Sequence, residues 1–242
     1  NSQLFTGKSL RLGGSKSPYE KNGTFYGDLS AILIDNMPFW AEFSSTPSNK
    51  TSLMENWNYK ITAIINETLN ENVTSLAGVP SWMLVLLNKI LKESKKEYVS
   101  EIWPNLEVYF HGGVSFKPYL NQYDAIINKD SMQYYEIYNA SEGFFAIQYE
   151  NNTNELLLML DYGIFYEFIP MKTYGTKNEK IIPLNQVEKG INYAILITTN
   201  AGLWRYKIGD TVRFTSLSPY KILVSGRTKH FINVFGEEVI IE

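Results

Sequence analysis

The chain has 242 residues and a formal net charge of -3 at pH 7, and 44% of its residues are hydrophobic and 14% aromatic. A chain of this length can bury a large core in one or two domains. Without a basic excess it lacks the electrostatic field that attracts nucleic acid. With no cysteine and only two histidines, it cannot form disulfides, thiolate metal sites, a cysteine nucleophile or a multi-histidine metal site.

Neither a membrane segment nor a secretory signal is indicated by the sequence. No run of 18 apolar residues occurs, so no membrane helix is expected. The first residues, 1–5, do not combine a basic region with an apolar one. A chain without cysteine fits a reducing compartment. We therefore expect a cytoplasmic protein with neither a membrane nor a nucleic acid as partner.

The first half of the chain predicts helices that flank a few strands. Glycines and a proline indicate strand and loop over residues 1–24. Helices are predicted at 28–36, at 51–69, from Pro80 to about Lys95 and from about Lys117 to Ile127. Strands are predicted at 106–110 and at 132–138. This alternation predicts an α/β fold, in which helices lie on the faces of a sheet.

The second half of the chain predicts mostly strands. They are expected at 144–149, 156–160, 164–168, 193–198, 204–206, 211–215 and 220–224. The stretch 171–190 contains several lysines and is predicted to be an exposed loop. We therefore expect an α/β part followed by a β-rich part that resembles a distorted barrel, with a boundary near residue 140.

Two predicted strand ends carry residues that suit a ligand, because ligands in such folds gather at the carboxyl ends of strands. Gly112 and Gly113 would let a ligand approach the backbone closely, although a tight turn is the plainer interpretation of the pair. The segment from Tyr138 to Gly143 offers an aromatic face, a hydroxyl and a carboxylate. These groups suit a purine, a phosphate oxygen and Mg²⁺. A strand turn with Glu142 in solvent is the alternative.

Two further motifs lie downstream. Asp210 follows Gly209 at the end of an aromatic and basic strand, and its carboxylate could accept two hydrogen bonds from a ribose diol. A plain turn aspartate is the alternative. Arg227 and Lys229 lie in a short polar turn after the last predicted strand, for which a solvated hairpin is the alternative.

The order and spacing of these motifs resemble the nucleotide-binding series of the adenylate-forming superfamily. Tyr138-Asn-Ala-Ser-Glu142 and Leu203-Trp-Arg-Tyr-Lys-Ile-Gly-Asp210 are similar to motifs of the auxin-responsive acyl-acid amido synthetases of plants and their bacterial relatives. The stretches 73–83 and 161–170 are also similar to that family, and the composition suggests a bacterial member. The resemblance covers almost the whole chain.

The resemblance implies ATP and Mg²⁺ as cofactors and a role for each matching residue. Tyr138 would stack on adenine, Gly112 and Gly113 would wall the base, and Asp210 and Arg227 would bind the ribose. The catalytic set would be Ser141 at the α-phosphate, Glu142 as the Mg²⁺ ligand and Lys229 at the hinge between domains. The acyl group would lie among Val79, Trp82, Met83, Tyr162 and Phe165.

The resemblance further implies a ligase that forms carbon–nitrogen bonds. A carboxylic acid would be adenylated by ATP, and the acyl-adenylate would then be conjugated to an amino acid, with AMP and pyrophosphate released. Two alternatives stay open: an acyl-CoA-type ligase of the same superfamily, and a non-catalytic binding domain with this fold. The acid and the amine are not identified by the sequence.

Two departures from the family pattern concern the ends of the chain. The Ser/Thr/Gly-rich phosphate loop of the superfamily would lie before residue 1, and the small C-terminal domain would follow Gly236. We expect residues 1–140 to form the part with the acyl and adenine pocket, 141–235 the part with the ribose motif, and 236–242 the start of a further domain. Such a fragment is expected to bind adenylate weakly and to turn over inefficiently.

Overall fold

In a computed structural model, the chain divides into two compact units, Asn1–Tyr135 and Glu136–Glu242. The structure describes residues 2–14, 19–127, 130, 132–151, 153–229, 231–234 and 237–240. The division falls within a strand, whereas the sequence placed the boundary near residue 140. The expected start of a further domain at 236–242 lies partly outside the described residues and stays a prediction.

The unit Asn1–Tyr135 contains helices around a parallel sheet. Its strands are β1 (Lys8–Arg11), β2 (Tyr19–Lys21), β3 (Thr24–Tyr26), β4 (Ser45–Thr46), β5 (Val73–Gly78) and β6 (Val108–His111). Its helices are α1 (Leu29–Asp35), α2 (Phe39–Phe43), α3 (Asn49–Ser52), α4 (Trp57–Thr68), α5 (Pro80–Ser94), α6 (Val99–Ile102) and α7 (Leu120–Ile127). Strands β4, β1, β5 and β6 pair in that order and are all parallel, while β2 and β3 form a separate antiparallel pair.

Buried residues in this unit indicate that helices cover its parallel sheet. The first four residues of β5, 73–76, are all buried, as in strands that have helices on both faces. Helix α5 begins at Pro80, whose missing N–H is not needed there, and stops at Lys95, which adopts a left-handed conformation with φ +55°. Trp103 is 1% exposed, and its Nε1 donates to the carbonyl of Thr68 at 3.1 Å. The core therefore ties the end of α4 to the segment that precedes β6.

The unit Glu136–Glu242 is an antiparallel sheet. The strand β7 (Gln133–Ala140) begins just before the unit and leads into it. The other strands are β8 (Gly143–Gln148), β9 (Leu156–Leu158), β10 (Ile164–Pro170), β11 (Ile182–Pro183), β12 (Asn192–Thr199), β13 (Tyr206–Leu217), β14 (Tyr220–Arg227), β15 (Phe231–Val234) and β16 (Glu237–Ile240).

These strands pair in one continuous series with aromatic residues in its core. The order is β7, β8, β9, β14, β13, β12, β10 and β11, and β15 pairs with β16 separately. Phe168 and Phe214 meet edge to face at 5.1 Å and are both buried. The α/β fold with a β-rich second half is therefore confirmed, while closure into a distorted barrel stays a prediction.

Several predicted elements are confirmed and others are wrong. Helix α5 matches its prediction, but the single helix predicted at 51–69 is interrupted, because the Asn56 side chain caps a new helix by accepting from the N–H of Tyr59. The predicted loop 171–190 contains β11 and a 3₁₀ turn, and it buries Ile182 and Val187. Among the described residues, no helix is long and apolar enough to cross a membrane.

Candidate functional site

The hairpin between β7 and β8 carries two of the predicted catalytic residues. Ala140 pairs with Gly143, so Ser141 and Glu142 form a two-residue loop. A Cβ on Gly143 would lie 2.8 Å from Cδ1 of Ile164, so a larger residue here would require the Ile164 side chain to shift. Ser141 is exposed and Glu142 is half-buried. A hydroxyl and a carboxylate are therefore presented together at the hairpin tip.

Tyr138 lies on the first strand of this hairpin and is 9% exposed. Its ring packs against Phe145, with ring centroids 5.0 Å apart. Its hydroxyl donates a hydrogen bond to Oδ2 of Asp210 at 2.6 Å. Burial, and then the nearby Asp210 carboxylate, raise the pKa of Tyr138 far above its usual value. The phenol therefore keeps its proton and remains a hydrogen-bond donor to Asp210.

Asp210 is directed to Tyr138 by a bulge in β13. Leu196 pairs with Lys207 and Ala194 pairs with Thr211, so one residue of β12 faces the three residues 208–210 of β13. Gly209 adopts φ +89°, a conformation that glycine tolerates best. Such bulges redirect side chains and are common near functional sites. Here the bulge places the Asp210 side chain in the interior of the unit, where the residue is 9% exposed.

Arg227 completes the cluster from the neighbouring strand. It is the cross-strand partner of Asp210 and forms an ion pair with it, in which Nε lies 3.0 Å from Oδ1 of Asp210. The N–H of Thr228 donates to the carbonyl of Gly209 at 2.8 Å. A Cβ on Gly209 would lie 3.5 Å from Nη1 of Arg227, so glycine lets the guanidinium lie close to the backbone. The two oxygens of Asp210 are thus oriented by a phenol and a guanidinium.

This cluster has the chemistry to hold a diol. Tyr138 and Asp210 are 72 residues apart in the sequence, and Arg227 lies on the strand next to Asp210. The polar atoms of the three residues nevertheless meet within hydrogen-bond distance in one unit. Each carboxylate oxygen can accept more than one hydrogen bond. A ribose presents two adjacent hydroxyl donors, and a carboxylate that is fixed at both oxygens is a suitable acceptor for them.

The remaining predicted residues of this unit lie around the cluster. Lys229 is exposed two positions after Arg227, and the described contacts do not bring it to Asp210. Tyr162 is 53% exposed and lies 5.8 Å from Phe144, which adjoins the hairpin loop. Phe165 is 61% exposed. Both aromatic rings are therefore available to a ligand, and their acyl role stays a prediction.

The stretch 161–170, which resembles the family, also contains a buried tyrosine. Tyr166 is 3% exposed, and burial raises its pKa above the usual value. Its hydroxyl has no hydrogen-bond partner among the described residues. A tyrosine inside an apolar strand gives no signal in the sequence that separates a core role from a site role.

In the unit Asn1–Tyr135, Gly112 and Gly113 follow β6, and Gly113 adopts φ +81°. A Cβ on Gly113 would lie 3.5 Å from Cγ2 of Val79, so the two predicted positions adjoin. Tyr109 donates to the carbonyl of Gly78 at 3.0 Å, and Tyr123 donates to the carbonyl of Pro80 at 2.7 Å. These two bonds hold the turn that presents Val79.

The other acyl-binding predictions of this unit differ in exposure. Trp82 is 41% exposed and makes an edge contact with Trp57 at 5.1 Å. Met83 is 0% exposed and packs within the hydrophobic core. In this structure Met83 therefore contributes packing, and a ligand surface there would require the core to open. Its acyl role, like that of Trp82, stays a prediction.

His111 precedes the two glycines and is 2% exposed. Its ring stacks on Phe116 at 4.1 Å, and its Nδ1 has no hydrogen-bond partner among the described residues. Burial lowers the pKa of His111 to about 4. The imidazole is therefore neutral at physiological pH and belongs to the aromatic core of this unit.

The described residues contain no group of three or more histidine, aspartate or glutamate side chains that could hold a metal ion. Glu142 is a single carboxylate. Mg²⁺ commonly binds through one or two carboxylates together with substrate phosphates and water, so a lone glutamate fits that mode of binding.

Comparison with known proteins places the chain in a family. The profile of the GH3 family N-terminal domain matches residues 2–132, and that of the GH3 family central domain matches residues 157–227. Indole-3-acetic acid-amido synthetase GH3.4 of Arabidopsis thaliana is 30% identical over 190 residues, covering 73% of this chain and 30% of the relative. GH3.3, an indole-3-acetic acid-amido synthetase of the same plant, is 28% identical over 124 residues, covering 48% of this chain and 20% of the relative.

Solved structures show the same fold. The GH3.15 acyl acid amido synthetase superposes with a TM-score of 0.75 at 15% identity, covering 98% of this chain and 52% of that chain. A 2-hydroxyisobutyryl-CoA ligase in complex with 2-HIB-AMP and CoA superposes with a TM-score of 0.60 at 13% identity, covering 96% and 46%. This chain thus spans about a third of those curated relatives or less, and about half of the solved chains. Because the N-terminal domain profile alone matches more than half of its residues, the chain belongs to the GH3 family, as its motifs predicted.

Proposed function

We propose that the intact protein is an ATP-dependent acyl-acid amido synthetase. The observation that carries this proposal is the meeting of Tyr138, Asp210 and Arg227 in one cluster, in a chain that belongs to the GH3 family. The motifs that predicted a nucleotide site are separated in the sequence, and a plain turn aspartate would not require this convergence. The named amido synthetase relatives support the same reaction class.

The first half-reaction activates a carboxylic acid. A carboxylate oxygen attacks the α-phosphorus of ATP, the bond to the β-phosphate bridging oxygen breaks, and pyrophosphate leaves. In this proposal Asp210 and Arg227 bind the ribose, Tyr138 orients the Asp210 carboxylate with its hydroxyl and stacks on adenine with its ring, and Ser141 donates to the α-phosphate. These groups mainly fix the geometry of attack.

Glu142 would hold Mg²⁺, which would supply positive charge to the phosphate oxygens. Gly112 and Gly113 would wall the base, and Lys229 would act at the hinge that precedes a further domain. The acyl group would lie among Val79, Trp82, Met83, Tyr162 and Phe165. A chain without cysteine fits a reducing compartment, so we also propose a cytoplasmic location.

The second half-reaction forms the amide. The amine nitrogen of an amino acid attacks the acyl carbonyl of the acyl-adenylate, its proton passes to solvent or a general base, and AMP leaves. A protein nucleophile is not required by this sequence of steps. The two substrates besides ATP are therefore a small carboxylic acid and an amino acid.

The proposal is tested by product analysis with the intact protein. Aromatic and aliphatic acids are each combined with ATP, Mg²⁺ and a set of amino acids, and AMP, pyrophosphate and the amide are measured. Glu142→Ala is expected to lower pyrophosphate exchange by about 100-fold or more, because charge on the phosphates is no longer neutralised at the reaction centre. Glu188→Ala, an exposed carboxylate on the same unit, is the matched control and should retain exchange.

Three results would contradict parts of the proposal. A product that forms with a thiol acceptor but not with any amine would indicate a CoA-type ligase. AMP binding without turnover of any acid would indicate a non-catalytic domain. Equal pyrophosphate exchange by Glu142→Ala and the unmodified protein would refute the metal assignment.

A further inference from the structure

The bulge at residues 208–210 aims Asp210, and the chain just before the bulge is held in an unusual way. Arg205 adopts φ +46°, although it is not glycine. A left-handed conformation is unfavourable for a residue with a Cβ, so other contacts must hold it. The N–H of Arg205 donates to Oγ1 of Thr198 at 3.0 Å, which fixes the backbone at this point.

The guanidinium of Arg205 makes a two-pronged contact with Glu167. Nε donates to Oε2 at 2.8 Å, and Nη2 donates to Oε1 at 2.5 Å. The Glu167 side chain is 12% exposed, whereas the Arg205 side chain is 61% exposed. Paired hydrogen bonds of this kind fix orientation as well as distance. The buried partner is therefore the carboxylate, and the arginine is clamped to it from the surface.

A second ion pair lies between this clamp and the bulge. Nζ of Lys207 lies 2.7 Å from Oε1 of Glu179 and 5.0 Å from the ring centre of Tyr174. Lys207 is also the last residue of β13 that pairs regularly with β12 before the bulge. The start of the bulge is thus held by the pairing of Tyr206 and Lys207 with β12 and, in addition, by side chains of β10 and of the loop after it, whereas at its end the pairing resumes at Thr211.

We propose that Glu167 and Arg205 are positioning residues that fix the start of this bulge and so aim the Asp210 carboxylate at the ribose hydroxyls of the nucleotide. This inference rests on the proposed function. A positioning role differs from a general stabilising role, because losing the Glu167–Arg205 ion pair would then weaken binding of the ribose hydroxyls and not of the whole nucleotide. Neither residue is a catalytic residue, since neither is placed against substrate.

The inference predicts a selective loss of affinity. In Glu167→Gln the side-chain volume is kept but the ionic fork is lost, so the left-handed turn at Arg205 can relax, the strand that enters the bulge is held less firmly, and Asp210 is aimed less well. AMP binding is expected to weaken by about 10-fold, the scale of one well-placed hydrogen bond to a charged group. Binding of 2′,3′-dideoxy-AMP, which lacks both ribose hydroxyls, is expected to change less than about twofold.

The experiment is calorimetric titration of both nucleotides into the intact protein and its variants. Arg205→Lys keeps the charge but not the fork, so it should show the same selectivity with a smaller loss, and its exposed position favours folding. Glu150→Gln removes an ion pair with Lys221 in the same unit, away from the bulge, and is the matched control. In an Asp210→Asn background, Glu167→Gln should cause no further loss for AMP.

The outcomes separate this inference from the proposed function. Suppose that the unmodified protein binds AMP better than 2′,3′-dideoxy-AMP. If Glu167→Gln and Arg205→Lys then bind each nucleotide with the affinity of the unmodified protein, the inference is overturned and the proposed function stands. Equal weakening of both nucleotides would also overturn it, because that result indicates a general structural defect. If the unmodified protein binds neither nucleotide, the proposed function fails and this inference fails with it.

Discussion

Buried tyrosines serve different purposes in the two units. In Asn1–Tyr135, the hydroxyls of Tyr109 and Tyr123 donate to the backbone carbonyls of Gly78 and Pro80. In Glu136–Glu242, the hydroxyl of Tyr138 donates to a side-chain carboxylate, Asp210. Burial raises the pKa of each of the three phenols above its usual value, so all three remain donors. The type of acceptor therefore distinguishes a hydroxyl that holds the backbone from one that orients a side-chain carboxylate.

The two sheets also bring candidate residues forward in different ways. In the parallel sheet, backbone positions at the strand ends are presented, as at Gly113 beside Val79. In the antiparallel sheet, side chains in mid-strand must be turned to a common point, and the bulge at 208–210 does this for Asp210. The first arrangement depends on loop geometry, and the second on ion pairs and hydrogen bonds between strands.

Removing one phenol oxygen from each unit gives the largest expected effects. Tyr138→Phe keeps the ring but leaves Oδ2 of the buried Asp210 without this donor, so AMP affinity should fall by about 10- to 100-fold, together with a loss of about 1–3 kcal/mol of unfolding free energy. Tyr123→Phe removes the donor to the Pro80 carbonyl, so the free energy of unfolding should fall by about 1–2 kcal/mol with AMP affinity unchanged. Calorimetric titration and urea unfolding measure the two quantities.

Each variant is the control for the other. A loss of stability without a loss of affinity in Tyr138→Phe would show that its hydroxyl supports the fold, as that of Tyr123 does. The distinction between the two units would then be wrong.

The sequence grouped three residues that the structure brings together, but it did not predict the local fold around them. Tyr138, Asp210 and Arg227 were singled out because their neighbours form short motifs in a fixed order. The order of motifs can be read from the sequence without knowing which strands pair. The sequence does not reveal that the Tyr138 hydroxyl reaches Asp210, because that contact depends on a bulge in β13. The bulge arises from Gly209, and glycine before aspartate is also the signature of an ordinary turn.

The unpredicted elements have identifiable causes. Strand β5 was not recognised because Thr74 and Ser75 interrupt its apolar run, yet both are buried, and the Thr74 hydroxyl donates to the carbonyl of Leu4 at 2.9 Å. Glu167 and Arg205 lie in stretches that resemble the family, but nothing in the sequence pairs the carboxylate of the one with the guanidinium of the other. Tertiary contacts of this kind override the local sequence pattern, which is why both the strand and the ion pair were missed.

Buried titratable groups offer a second way to test the contrast. His111 has a pKa of about 4 in the folded protein, against an ordinary value of 6.5. Between these values the unfolded chain binds more protons than the folded chain, so stability rises with pH and is lost as pH falls from 6.5 towards 4. From pH 7 to pH 5 this histidine should cost about 2 kcal/mol of unfolding free energy. Urea unfolding at both pH values measures the change.

In Glu136–Glu242, Arg205 lowers the pKa of Glu167, so the stabilising contribution of that pair is present above the unfolded pKa of 4.5 and is lost only at lower pH. The pair should therefore contribute nothing to the change between pH 7 and pH 5. His111→Leu should lose most of that change, whereas Glu167→Gln should retain it. An unaltered pH dependence in His111→Leu would contradict the assignment to the histidine.

The smallest expected effects come from one glycine in each unit. Gly113 and Gly209 both have positive φ, and a Cβ on either would lie 3.5 Å from its nearest neighbour, which is ordinary contact. Each alanine variant should therefore cost only backbone strain, about 1 kcal/mol of unfolding free energy. Gly175→Ala has φ +71° and no atom within 4 Å of the added Cβ, so it measures that strain alone.

Gly209→Ala should in addition weaken AMP binding, because Gly209 lies inside the bulge that aims Asp210. A cost for Gly113→Ala well below that of Gly175→Ala would mean that the loop after β6 changes conformation freely, and the parallel sheet would then not fix the backbone at Gly113.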